Sequence, residues 1–173
     1  HVTLGFDKAL TVGYGGLRAQ INERLARGGL DERGVDLLES MLICLDAAAT
    51  WHRRHMDLLE ERIAASSGDE RHTYEQVRDA LRNVPENPPT TFYEAVQGLW
   101  FLFGFQRLCG NWPGIGRIDQ MLGPYLERDL AAGRITLDEA RELLAHFWIK
   151  GCDWIGAETG FGGSGDGQHY QNI

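Results

Sequence analysis

The sequence is short of several things, and each shortage excludes a class of function. Only three cysteines occur in 173 residues, Cys44, Cys109 and Cys152, and they are scattered without a pairing pattern. That argues against a disulfide framework and for a reducing compartment. Basic residues are in deficit, 17 Lys and Arg against 25 Asp and Glu, for a formal charge of -8. No surplus of cations is free to displace phosphate counterions, so a nucleic-acid partner is not expected. No apolar run has the length of a membrane span. The nearest, "AVQGLWFLFGFQRLCG", contains Gln97, Gln106 and Arg107 and reads as a buried helix. There is no signal-peptide pattern, no internal repeat and no sustained heptad, and a cytoplasmic location is expected.

What is present is the composition of an ordinary folded domain, 43% hydrophobic, 10% aromatic and 24% charged. The length suffices for one real core. The chain opens on His1 rather than methionine and closes on "HYQNI" within a strand-like pattern. Both ends are read as cut, so an inner piece of a longer protein is expected.

Helical period dominates. "FDKALTVGYGGLRAQINERLAR" places Phe6, Leu10, Leu17, Ile21 and Leu25 near one face, and the glycines of "RGG" at 27–29 stop it. A longer helix is predicted from about Asp31 to Ser66, with Leu37, Leu38, Met41, Leu45, Ala48 and Ala49 as its apolar stripe. "SSGD" at 66–69 breaks it, and a shorter helix covers about Glu70–Arg82. "VPENPP" then enforces an extended crossing, because proline disfavours helix in the residue before it. Thr91 with Glu94, and Thr136 with Glu139, have capping-box spacing and open helices over 92–109 and 136–150. Between them a helical pattern runs from Arg117 to about Ala132, with a kink or restart expected at Gly123-Pro124. Residues 156–168 form a glycine-rich loop without helical period, and 169–173 read as the start of a strand. The fold class is therefore mainly α, in about five or six helical segments.

Candidate chemistry is sparse. "GFGGSG" at 160–165 matches G-x-G-x-x-G, yet no strand precedes it and no helix follows, so a dinucleotide site is not expected. His52 and His55 lie three apart on the long helix without a third ligand at matched spacing, and a solvated, charge-mixed face is the better reading. No metal site is assigned. Cys152 sits at a helix C-terminus, where a thiol pKa is raised rather than lowered. The string "GNWPGIGRIDQML" at 110–122 interrupts the most apolar region with glycines that admit close approach, a proline-stiffened tryptophan and an Arg-x-Asp. A ligand-facing loop and a plain helix connection are both compatible with that chemistry.

Taken together, "FYEAVQGLWFLFGFQRLCGN", "GRIDQMLGPYLERDLAAGRITLDEARELLAHFWIK", "VPENPPTTFYEA" and "HVTLGFDKALTVGYGGL" resemble the pyruvate formate-lyase-like domain of glycyl radical enzymes. The resemblance covers nearly all of residues 1–173, and the 117–150 block is its most specific part. It implies a partial domain, one stretch of a ten-stranded α/β barrel upstream of the thiyl-cysteine loop. It also implies radical lyase or dehydratase chemistry on a small organic substrate, cleaving a C–C or C–heteroatom bond. The parent enzyme would carry a glycyl radical installed by a radical-SAM iron–sulfur activating enzyme, and would be a homo-oligomer, expected as a dimer. None of the three cysteines has Glu two positions on, as the thiyl loop requires, so no catalytic residue is assigned within 1–173. "TVGYGG" at 11–16 resembles the strings around radical-bearing glycines, but it falls inside an amphipathic helix. Small residues that admit another helix explain it.

By resemblance, His1 matches a histidine that reaches the substrate, and Asn111 and Trp112 are substrate-binding positions on the chamber wall. Arg117 and Asp119 are structural, expected to be largely buried and engaged with backbone or each other. Dehydratase-type members carry a His-Ser pair where this chain has Asn111, Trp112 and Pro113, a departure that leaves the substrate open. The alternative reading is a naturally short, non-catalytic homologue serving as a binding or assembly module.

Overall fold

A computed structural model describes residues 4–108 and 114–152, the last two by backbone alone. Among the described residues the elements are six helices: α1 Phe6–Ala26, α2 Glu32–Ala65, α3 Gly68–Leu81, α4 Phe92–Leu108, α5 Ile118–Ala131 and α6 Leu137–Cys152. No β-strand occurs among them, and no helix is long and apolar enough to cross a membrane. The glycine-rich loop, the strand expected at 169–173 and the "GFGGSG" string lie outside the described residues. The chain divides into two compact units, Val12–Pro88 and a second made of His1–Thr11 with Pro89–Ile173.

In the first unit α2 and α3 pack on one another. Asp31 caps α2 by accepting the Gly34 N–H at 2.9 Å, which satisfies one of the free donors at the helix start. Of the stripe expected on α2, Leu45 and Ala48 are buried, whereas Leu37 and Met41 are 56% and 44% exposed. The break between α2 and α3 is tighter than expected, since α3 already begins at Gly68. His52 does not face solvent freely: its Nε2–H donates to the Leu81 carbonyl at 2.8 Å and ties α2 to the end of α3. His55 donates from Nδ1 to the Trp51 carbonyl at 2.9 Å. Both imidazoles are engaged locally, which corrects the solvated-face reading.

The glycines of "TVGYGG" admit backbone, but not that of a helix. At Gly13, φ is 68° and ψ 172°, so α1 kinks there. The turn after α3 fills the space: the N–H groups of Tyr14 and Gly15 donate to the carbonyls of Pro85 and Glu86, each at 2.9 Å. A Cβ on Gly13 would collide with the Glu86 carbonyl. The segment "VPENPP", expected to be extended, is instead a turn over Val84–Glu86 with a cis Val84–Pro85 bond, and that turn is what the small residues accommodate.

The second unit is built around α4. Phe92, Ala95, Val96, Leu99, Phe101, Leu102 and Phe103 are all 4% exposed or less. A helix apolar on every side belongs in a core, and α5 and α6 both pack against it. Phe6 of α1 meets Phe103 edge-on at 6.4 Å, and Trp100 meets Phe147 of α6 at 5.9 Å. Arg107, the residue that spoke against a membrane span, is 7% exposed and lies over the Phe103 ring at 5.7 Å. A cation suits the last turn of a helix.

The caps follow the sequence with one shift. In α6 the box is complete: the Glu139 N–H donates to Thr136 Oγ1 at 3.2 Å, and the Thr136 N–H donates to Glu139 Oε2 at 2.7 Å. The Thr136 N–H and hydroxyl, both donating to the carboxylate, hold the Glu139 carboxyl below its usual range. In α4 the Glu94 N–H donates to Thr91 Oγ1 at 3.1 Å, but the Glu94 carboxylate reaches back one residue further, to the N–H and hydroxyl of Thr90. The kink or restart expected at Gly123-Pro124 is absent as a break, for α5 continues through Pro124 to Ala131. Pro124 falls in the second turn of α5, where it removes a single ladder bond.

Candidate functional site

Two pieces of sequence singled out above converge within the second unit. The start of α1, which follows His1 in the chain, supplies Asp7, Leu10 and Thr11 to one wall of a cleft of about 480 Å³. The described end of the 110–117 loop and the start of α5 supply the other, through Ile115, Gly116, Arg117, Gln120 and Met121. Tyr125, one turn further along α5, adds a phenol whose pKa is raised by burial, with Arg128 pulling the other way. The volume lies in the range of small-molecule sites, and the lining mixes an apolar floor with a few polar groups. Ile115 is 1% exposed and anchors the loop end. Gly116 has φ of 86°, a conformation that turns the chain sharply into α5 and suits glycine.

Arg117 and Asp119 are engaged with each other, as expected: Nε and Nη2 donate to the two carboxylate oxygens at 2.8 and 2.5 Å. The bidentate pairing is the strong form of this interaction. Their burial is otherwise than expected, with side chains 57% and 60% exposed. The physical reason is local. The two residues pair with one another across a single intervening Ile118 at the helix start, which keeps both on the outer rim. Arg117 is the N-cap residue but its side chain makes no cap bond. The hydrogen bonds from Arg117 hold the Asp119 carboxyl at about 2, aided by its charge and by the backbone N–H groups of Gln120 and Asp119, against a smaller upward push from desolvation.

His1, Asn111 and Trp112 lie outside the described residues. No group of three or more His, Cys, Asp or Glu side chains stands together as a metal site among the described residues. Sequence reasoning passed over Asp7, Tyr125 and Asp129. The last is 3% exposed and accepts the buried N–H of Phe92 at 2.7 Å. A signal for it existed: an acid in the last turn of a helix is in the wrong place for its own helix dipole.

The chain has relatives among known proteins. A profile of the pyruvate formate lyase-like family matches residues 1–163. Isethionate sulfite-lyase of Oleidesulfovibrio alaskensis is 34% identical over 161 residues, 87% of this chain and 19% of that protein. Trans-4-hydroxy-L-proline dehydratase of Clostridioides difficile is 31% identical over 118 residues, 65% of this chain and 15% of that protein. Among solved structures, one concerning 1,2-propanediol dehydration in Roseburia inulinivorans superposes with a TM-score of 0.80 at 30% identity. A glycyl radical enzyme from Archaeoglobus fulgidus superposes with a TM-score of 0.76 at 29% identity. Each covers 87% of this chain, which spans 20% of either structure. With a family match over nearly its whole length, and helices that superpose on solved members, the chain belongs to the pyruvate formate lyase-like family.

Proposed function

We propose that this chain is part of a glycyl radical lyase or dehydratase, contributing scaffold and one side of the chamber in which a small organic molecule loses a C–C or C–heteroatom bond. The observation that carries the reading is the cleft. Its walls come from the start of α1 and from the loop leading into α5, the two places where the sequence puts candidate substrate residues. In the whole enzyme His1, Asn111 and Trp112 face the substrate, with Trp112 a stiff apolar surface beside Pro113. The Arg117–Asp119 pair holds the loop's exit in a fixed geometry. The six helices flank part of a ten-stranded α/β barrel, to which 169–173 supply the start of a strand.

The radical chemistry belongs to groups outside this chain's own residues: a glycyl radical, installed by a radical-SAM iron–sulfur activating enzyme, and a thiyl cysteine. What residues 1–173 do is bind, orient and exclude water. The intact enzyme is expected to work as a homodimer. The test uses the full reading frame that contains this chain, activated anaerobically and offered isethionate, 1,2-propanediol, glycerol and trans-4-hydroxy-L-proline. Turnover of a small substrate is expected, and Trp112→Ala should change KM or selectivity while the glycyl radical signal keeps its intensity. Unchanged kinetics in that variant would remove Trp112 from the chamber wall. A doublet radical signal on residues 1–173 alone would overturn the placement of the chain in the enzyme.

A further inference from the structure

We propose that Asp129 is a positioning residue for the cleft: it closes the α4–α5 hairpin at the end opposite the loop and so fixes where residues 114–117 sit. Residues 109–117 join the end of α4 to the start of α5, and the two helices pack on one another. The start of α4 and the end of α5 therefore meet at the far end, since 17 residues at about 1.5 Å each separate that end from the loop by about 25 Å. There Asp129 Oδ2 accepts the N–H of Phe92 at 2.7 Å, while Arg134 donates to Oδ1 from Nε and Nη2 at 3.0 and 2.6 Å. Arg128 adds a donor to the Thr90 carbonyl at 2.7 Å. The Asp129 side chain is 4% exposed.

Its position shows which helix the carboxylate serves. Asp129 lies in the last turn of α5, where the partial negative charge of the helix end disfavours an acid. At the first turn of α4 the same charge is favourable, and the Phe92 N–H is one of the donors no intrahelical carbonyl can reach. Arg134 supplies the countercharge that makes the burial tolerable. Asp129 is thus a cap supplied in trans. Sliding α4 along α5 by an ångström or so would break the bond and leave a buried carboxylate and N–H unpaired, the costly case for buried polar groups. Both helices are stiff and the connection between them is short, so the latch at one end sets the spacing of Leu108 and Ile118 at the other. Its bearing on the reaction rests on the reading that residues 114–117 line the substrate chamber; the positional claim stands apart from it.

Amide hydrogen exchange on the full chain separates this role from a local one. In Asp129→Asn, protection should fall at Phe92 and also, by about tenfold or more, at Ile118, Gln120 and Met121, with α2 amides nearly unchanged, because local opening is read residue by residue. Those three donate to the Gly116 and Arg117 carbonyls and report the loop's exit. Loss confined to Phe92–Ala95 and residues 128–134 would reduce Asp129 to a local cap. Uniform loss throughout the chain would reduce it to a general stabiliser, and either result overturns the proposal. Should Asp129→Asn fail to fold, Arg134→Gln keeps the Phe92 bond and is read by the same criteria at smaller amplitude. In the intact enzyme, a latch confirmed by exchange but without effect on KM would refute the chamber reading and leave the latch standing.

Discussion

Replacing Gly13 by alanine perturbs a glycine whose environment forbids a side chain twice over. Its φ of 68° with ψ of 172° lies in a region essentially reserved for glycine, where a residue with a Cβ is strained by about 1–3 kcal/mol. The added methyl also points at backbone, the Glu86 carbonyl and the carbon of Asn87, which cannot rotate away as a side chain could. The chain has two ways to respond. It can keep the turn and bear an overpacking cost of about 1–3 kcal/mol. Or it can release the turn and lose the Tyr14–Pro85 and Gly15–Glu86 hydrogen bonds, about 1 kcal/mol each. The two routes are alternatives and the second limits the cost of the first to about 2 kcal/mol, so with strain included the expected loss is about 2–5 kcal/mol.

Gly28 is the internal control. It too has positive φ, 66°, but nothing lies within 4 Å of its ideal Cβ. Gly28→Ala should cost about 1 kcal/mol, the penalty of the left-handed conformation alone. Urea unfolding followed by circular dichroism gives both values, and exchange at the Tyr14 and Gly15 amides shows whether the turn is released. If Gly13→Ala falls within about 0.5 kcal/mol of Gly28→Ala, the collision with the turn carries no energy and the account of "TVGYGG" is wrong.

Leu99→Ala should be among the most damaging substitutions in the second unit: the side chain is fully buried, and such truncations cost about 2–5 kcal/mol, read from the denaturation midpoint. Thr136→Ala removes both bonds of the Thr136 hydroxyl while leaving its backbone N–H on the Glu139 carboxylate, and should cost about 1 kcal/mol, with exchange rising at Glu139 before the rest of the helix. Asp119 should titrate near 2 when followed by carboxyl NMR, and Arg117→Gln should return it towards 3.8. Because the folded pKa is depressed, the pair's contribution is present above pH 3.8 and fades as pH falls towards 2. An Asp119 midpoint that ignores Arg117→Gln would break the link between the two residues.

Most of the helical skeleton was legible because its signals are local. Thr136 and Glu139 define a helix start from four residues of sequence, and the structure forms the reciprocal bonds between them. The period of Phe6 and Leu10, like that of Leu45 and Ala48, picks out side chains that are buried. Signals that depend on a neighbour were less faithful. Leu37 and Met41 continue the α2 period into a stretch with no buried residue, so periodicity alone overstates the core there. The small residues of "TVGYGG" correctly announced a close approach but not its partner, which comes from more than 70 residues later in the chain. Pro124 announced a kink or restart; no restart occurs, because near a helix start most of the ladder lies beyond it and α5 continues.

The site divides in the same way. Arg117 and Asp119 were readable as a pair because an Arg-x-Asp at a helix start sets opposite charges two residues apart, and the bonds between them exist. Their exposure was not readable, since burial is set by whatever packs outside a residue rather than by its own type. Asp129 is the instructive miss. Its partners Phe92 and Arg134 stand 37 and 5 residues away, and only the second is near enough to notice. Yet an aspartate in the last turn of a helix opposes that helix's own dipole, and an arginine shortly after it offers countercharge. Neither fact helps α5. Both make sense once the acid faces the start of another helix, where an unmet N–H waits and the dipole has the opposite sign. A residue that is wrong for the element it sits in can thus point to the element it serves, and here that element is the helix leading to the cleft.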